Sequence, residues 1–259
     1  MTTLRTGRPD RTMAQVAFAL VLAVIVAVTL WWGFLREHAP MGGPLGIRVQ
    51  ADFTAMPNGP APDHFDDGQP AIVVTRPDNP GDRLRIQDGR LTYQPTTQGA
   101  AAAYFSSPDL GSSVKSMGAR FVFRPGSGTR GAIGLVVSRG IDKRIPPMIL
   151  PLPIHLVVTS INWYIAVART DGAPLEVVAA DFFQHPLRED GQTPYEARLT
   201  IDGAQVTLDL PGTHQRVSDP RFSEWQGSFV TFELWSNHGA TDSIGAFEKI
   251  WATGKRTEP

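Results

Sequence analysis

From Ile47 onward, apolar and polar residues alternate with a period of two, and Gly, Asp and Pro break the alternation at short intervals. Ile47, Val49, Ala51 and Phe53 alternate with Arg48, Gln50 and Asp52. Successive side chains of a strand point to opposite faces, so this period marks strands with one buried face. Leu84-Arg85-Ile86-Gln87 and Arg90-Leu91-Thr92-Tyr93 flank Asp88-Gly89. Asp-Gly supplies the two positive φ angles of a type I′ hairpin turn. The same signal recurs where Asp202-Gly203 separates Ala197–Ile201 from Ala204–Leu210. Further strands are expected at 119–124, 132–138, 154–159, 161–168, 175–180, 228–235 and 243–252. Roughly eleven or twelve short antiparallel strands, with no amphipathic helix among them, indicate an all-β sandwich or barrel.

One segment obeys a different rule. Residues 14–35, AQVAFALVLAVIVAVTLWWGFL, contain no charged side chain. As a helix, 22 residues span ~33 Å, enough to cross the ~30 Å hydrocarbon core of a bilayer. Arg5, Arg8 and Arg11 precede the run, opposed only by Asp10, which places the N-terminus on the cytoplasmic side. Trp31 and Trp32 fall at the outer end, where indole rings favour the headgroup layer. The run exceeds a signal-peptide core of ~7–15 residues, and Trp-Trp-Gly-Phe-Leu-Arg stands where a cleavage site needs small residues. The expected organisation is a cytoplasmic N-terminus at 1–13, a transmembrane helix at 14–35 and a Gly/Pro linker at 36–46. An extracytoplasmic β-sandwich at 47–252 and a tail at 253–259 follow. Fully extended, the linker reaches at most ~36–40 Å, so the outer domain stays near the bilayer.

Composition narrows the function classes. The first 35 residues carry net +2 and the remainder net −3, which makes nucleic acid a poor partner for the outer domain. There are no cysteines, so zinc–thiolate sites and Cys nucleophiles are excluded and the domain is held by its core alone.

The order of strands and turns resembles the concanavalin A-like lectin/glucanase superfamily, with its laminin-G-like jelly rolls. The residues that carry the resemblance are Asp52-Phe53 with Asn58-Gly59, the Asp88-Gly89 hairpin, the late 199–206 hairpin, and a final strand over 244–250. The resemblance covers 47–252 and implies a jelly-roll β-sandwich whose last strand returns beside the first. It further implies glycan binding, and in some relatives Ca²⁺ held between loops. Asp63, Asp66 and Asp67 beside Gly68 are one candidate grouping for such an ion, with spacing that is not that of an EF-hand, and Asp242 near Asn237 is a second. No other cofactor is expected.

The superfamily's glucanases carry Glu-x-Asp-x-Glu or Glu-x-Asp-x-x-Glu on one strand, which places acid and nucleophile on one face. No such triplet occurs here: Glu233 is the sole carboxylate of its strand, and Glu189-Asp190 sits in a turn beside Gly191. No two of the six histidines stand at i, i+2 or i, i+4, and His155 reads as a packed core or edge histidine. No catalytic residue is assigned, and a glycoside hydrolase is the least favoured reading.

Strand faces point to a binding surface instead. Val230, Phe232 and Leu234 share one face of their strand, and Phe229, Thr231, Glu233 and Trp235 share the other. Asn162 and Tyr164 face away from Ile161, Trp163 and Ile165. If these second faces line one sheet, Asn162, Tyr164, Glu233 and Trp235 form a mixed aromatic and polar surface of the kind that binds sugars. A separate apolar arm, Pro146, Pro147, Met148, Ile149, Leu150, Pro151 and Leu152, is barred from a central strand by its prolines. It is expected either to pack across the sandwich or to dock on a partner or the membrane. Two functions compete: a non-enzymatic membrane-anchored module recognising envelope glycan or glycolipid, and an accessory subunit of a bacterial, actinobacterial-type envelope transport complex such as a lipid importer.

Overall fold

The computed structural model describes residues 48–75, 83–94, 101–125, 131–141, 151–236 and 245–254. The expected transmembrane helix at 14–35, the linker at 36–46, residues 146–150 of the apolar arm, and the Asn237 and Asp242 pair lie outside these. Among the described residues no helix is long and apolar enough to cross a membrane.

The described chain forms an antiparallel two-sheet sandwich. In order, the strands are β1 (Arg48–Asp52), β2 (Gly59–Pro60), β3 (Ile72–Val74), β4 (Arg83–Gln87), β5 (Arg90–Gln94), β6 (Ala101–Ser106), β7 (Val114–Phe123) and β8 (Gly131–Ser138). They continue as β9 (Ile154–Val158), β10 (Asn162–Ala168), β11 (Leu175–Phe182), β12 (Tyr195–Asp202), β13 (Gln205–Leu210), β14 (Thr213–Ser218), β15 (Phe229–Ser236) and β16 (Gly245–Gly254). Among the described residues one short helix occurs, α1 (Pro220–Trp225), capped by the Asp219 carboxylate, which accepts from Arg221 N–H, with Pro220 in its first turn.

One sheet runs β14-β13-β12-β7-β16-β5-β4-β2, with β1 also paired to β16, and the other runs β11-β10-β9-β8-β15-β6-β3. The last strand does return beside the first: Arg48 lies opposite Thr253 and Ala51 opposite Ile250. It extends to Gly254, two residues past the expected boundary.

The Asp88-Gly89 hairpin has both turn residues at positive φ, 52° and 69°, as a type I′ turn requires. The second hairpin differs from expectation by one residue. Asp202 pairs with Gln205, so its loop is Gly203-Ala204, with Gly203 at φ 59°. A Gly leading a two-residue loop suits a type II′ turn, and Asp202 therefore stays in its strand.

The core lies between the sheets and is rich in phenylalanine. Phe232 of β15 meets Phe247 of β16 edge-on at 6.1 Å, and Phe53 meets Phe105 at 5.9 Å, so ring pairs join one sheet to the other. Phe65 completes that cluster against Phe105 at 5.2 Å. Its neighbour Asp66 accepts from Asp52 N–H at 3.2 Å and Gln50 Nε2 at 3.3 Å, which ties the acidic loop to β1.

Candidate functional site

β15 lies near the middle of its sheet, between β8 and β6, and its alternation is that read from the sequence. Val230, Phe232 and Leu234 are in the core, at most 1% exposed. Glu233 points the other way, onto the outer face. Residues directly opposite each other in a ladder share a face. Across Glu233 the row therefore runs Ala180, Tyr164, Val157, Gly134, Glu233, Tyr104 and Val74. The next row holds Val177, Ala166, His155, Val136, Thr231, Ser106 and Ile72.

Glu233 is only 8% exposed although it faces outward. A buried carboxylate needs partners, and the two rows supply them. The Tyr104 hydroxyl donates a hydrogen bond to it. His155 Nε2 stands 2.9 Å from Glu233 Oε2, yet its angle leaves that nitrogen without an aligned hydrogen bond. Gly134 makes this contact possible: a Cβ there would lie 2.7 Å from Glu233 Oε2 and 3.0 Å from His155 Nε2. Burial, followed by the Glu233 charge, pushes the Tyr104 and Tyr164 phenols above their ordinary range, so both rings stay neutral donors.

The four residues expected to act together share this face, but they divide into two groups. Glu233 and Tyr164 belong to the cluster. Asn162, at the start of β10, is taken up by a turn in which Thr159 Oγ1 donates to its side-chain oxygen. Trp235 lies two residues beyond Glu233, half-buried between Ala132 and Ala102, whose small side chains leave room for the indole. His155 is neither core nor bare edge, and the sequence pattern does not single out Tyr104. The signal for His155 was its polar character between Ile154 and Leu156, but only the ladder shows that it faces Glu233.

Among the described residues, the outward ladder positions of this sheet offer one carboxylate. At the ladder positions that point outward, Glu233 alone carries a carboxyl group. Retaining hydrolysis needs a second one about 5–5.5 Å away. Glu189 is engaged by the Ser160 hydroxyl, and Asp190 caps its own turn through the N–H groups of Gln192 and Thr193, both at 2.8 Å. Among the described residues, no group of three or more His, Asp or Glu side chains comes together to hold a metal. Pro151 and Leu152, the described end of the apolar arm, are partly buried, and Pro151 C=O accepts from Arg139 N–H at 3.3 Å. A separate open cleft of about 380 Å³ lies at one end of the sandwich and includes Asp109, Ser112 and Arg139. Arg139 is committed there to the Glu224 carbonyl and to the Trp225 ring, 5.5 Å away.

No protein-family model matches the chain, and no curated protein matches it in sequence. Solved structures do match in fold. The chain is similar to the Emp47p carbohydrate recognition domain, with 13% identity, TM-score 0.51, and coverage of 84% of this chain and 100% of that one. It is similar to a GlcNAcα1-4Gal releasing endo-β-galactosidase from Clostridium perfringens, with 10% identity, TM-score 0.54, and coverage of 84% and 66%. It is also similar to the exoplasmic/lumenal domain of VIP36 in a Ca²⁺/Man2-bound form, with 10% identity, TM-score 0.50, and coverage of 82% and 89%. The chain thus has the concanavalin A-like jelly-roll fold, which hosts both sugar-binding domains and an enzyme.

Proposed function

We propose that this protein is a non-enzymatic, membrane-anchored module that recognises a glycan on the outer face of its β15 sheet. The observation that carries the reading is the buried Glu233 carboxylate, held by Tyr104 and contacted by His155, with Tyr164 three strands away in the same row. Carboxylate and phenol oxygens suit sugar hydroxyls, which donate and accept in fixed directions. The rings of Tyr164 and Trp235 offer flat apolar surface for a pyranose face. A single carboxylate at the described ladder positions favours binding over retaining hydrolysis. The carbohydrate recognition domains of similar fold support the reading. The apolar run at 14–35 is its anchor, with the sandwich on the outer side of the membrane and the N-terminus on the cytoplasmic side.

The test uses the full-length chain in phospholipid nanodiscs against an array of envelope-type and mammalian glycans. Binding that falls at least tenfold in both Glu233→Gln and Tyr164→Ala, with unchanged circular dichroism, is the expected result. Absence of glycan binding, or binding indifferent to both changes, overturns the proposal. Protease accessibility in intact cells tests the anchor: the 47–252 region is expected to be cleaved from outside.

A further inference from the structure

Among the described residues the exposed large apolar side chains are Val73, Leu175, Val177 and Phe182. Three of the four lie on β11, the edge strand of the sheet that carries Glu233. Leu175 is 41% exposed, Val177 60% and Phe182 72%. Their ladder partners are Ala168, Ala166 and Asn162, and Ala180 lies opposite Tyr164. All four β11 residues therefore stand on the outer face, beside the cluster.

A β-bulge produces this arrangement. The register shifts between Ile165 and Ala166, which leaves Val178 without a directly opposite residue. Val178 and Ala179 pack against the core, so β11 turns two consecutive residues inward. A one-residue shift reverses the face of everything beyond it. Without the bulge, Leu175 and Val177 would point to the core side and the charged Glu176 outward. With it, Glu176 points away and pairs with Arg169 at 2.7 Å and Arg221 at 2.8 Å. The stripe thus has no charge, and the small, buried Ala166 and Ala168 form its floor.

We infer that this stripe is an alkyl-chain subsite and that the ligand is an amphiphile, its sugar at Glu233 and its chain along Leu175, Val177 and Phe182. This rests on the glycan reading above and names the ligand class. Two observations select that occupant. The apolar stripe and the polar cluster share a face, four strand spacings or ~19 Å apart, so one molecule with a polar end and an apolar end satisfies both. The twelve residues between the apolar run ending at Leu35 and β1 reach at most ~43 Å, which bounds how far the domain can stand from a bilayer that the run would cross.

The experiment uses the full-length chain in nanodiscs and two sets of probes: methyl and hexadecyl glycosides of glucose, galactose and mannose, the hexadecyl chain being long enough to run from Glu233 to β11 and carrying a photoreactive diazirine near its end. Competition and cross-linking are read on the wild type and on the Val177→Ser/Phe182→Ser double variant, both surface changes. The hexadecyl glycoside is expected to compete about tenfold or more better than its methyl counterpart, since each buried methylene adds to affinity. Its label is expected within 175–182. The double variant should erase that ratio and leave methyl glycoside binding unchanged. Equal competition by methyl and hexadecyl forms, or labelling elsewhere, overturns the inference while glycan binding stands. Equal competition by hexadecanol also overturns it, because the sugar then has no part. Dissociation of a dimer by the double variant, seen by sedimentation, assigns the stripe to a second copy and overturns it too. Failure of every glycoside to bind, together with a blank glycan array, removes the glycan reading itself.

Discussion

His155 Nε2 lies 2.9 Å from Glu233 Oε2 although 78 residues separate them in the chain, and Gly134 on the strand between them leaves the space for this contact. The pair joins β9 to β15 across β8. It turns a row of mostly small outer-face residues into a polar centre.

Replacing Gly134 by Ala tests that dependence. The added methyl would lie 2.7 Å from Glu233 Oε2 and 2.9 Å from Glu233 Cβ. The carboxylate can swing aside, but the Cβ is fixed to the β15 backbone. Overpacking of this kind costs about 1–3 kcal/mol. Chemical denaturation should show that loss, and glycan binding should fall with it as Glu233 leaves His155. A variant as stable as the wild type would show that the strands separate easily at this point.

The raised phenol values of Tyr104 and Tyr164 lead to a second test. A phenol whose folded value is raised favours the neutral form in the native state. Its stabilising contribution is therefore complete below the unfolded value near 10 and is lost as the pH climbs through the folded value. Ultraviolet titration of the native protein should show part of its four-tyrosine absorbance change only at strongly alkaline pH. Burial is the larger cause, so Glu233→Gln should lower the Tyr104 and Tyr164 midpoints without restoring them fully. Unmoved midpoints would mean that the carboxylate charge does not reach the rings.

Acid acts through a different group. The Thr193 hydroxyl, with the N–H groups of Thr193 and Gln192, holds the exposed Asp190 carboxyl down at about 2. A lowered folded value contributes stability that is complete above the unfolded value near 3.8 and is lost as the pH falls through about 2. Carbon-13 titration should place the Asp190 midpoint near 2, and Thr193→Val should raise it. A midpoint near 4 in the wild type would mean that the turn is open in solution.

The sequence made some of this site visible and hid the rest for physical reasons. The two faces of β15 were legible because Val230, Phe232 and Leu234 alternate cleanly with polar or amphipathic residues. The Asp88-Gly89 turn was legible because few dipeptides accept two positive φ angles. Tyr104 was not, since β6 opens with Ala101-Ala102-Ala103, which has no alternation, and its partner in the ladder is 129 residues away. β14 is not legible in the sequence either, because Thr213–Ser218 is an edge strand without a continuous apolar face. The stripe on β11 depends on a bulge at Ile165/Ala166, and a strict period of two assigns Leu175 and Val177 to the same face as Ala179.

Next to Glu233 in the outer-face rows, Ser106 Oγ and Thr231 Oγ1 form a hydrogen bond of 2.8 Å, and both residues are fully buried. Thr231→Val keeps the shape but leaves the Ser106 hydroxyl without that partner. An orphaned buried hydroxyl costs about 1–3 kcal/mol, whereas removing both polar groups is close to neutral. The single variant should therefore lose more stability than the Ser106→Ala/Thr231→Val double variant, as measured by urea denaturation. That ordering would show that the pair is there to satisfy two buried groups and not to add net stability. The reverse ordering, with the double variant the weaker, would show that the bond stabilises the join between β6 and β15, and with it the position of Tyr104 against Glu233.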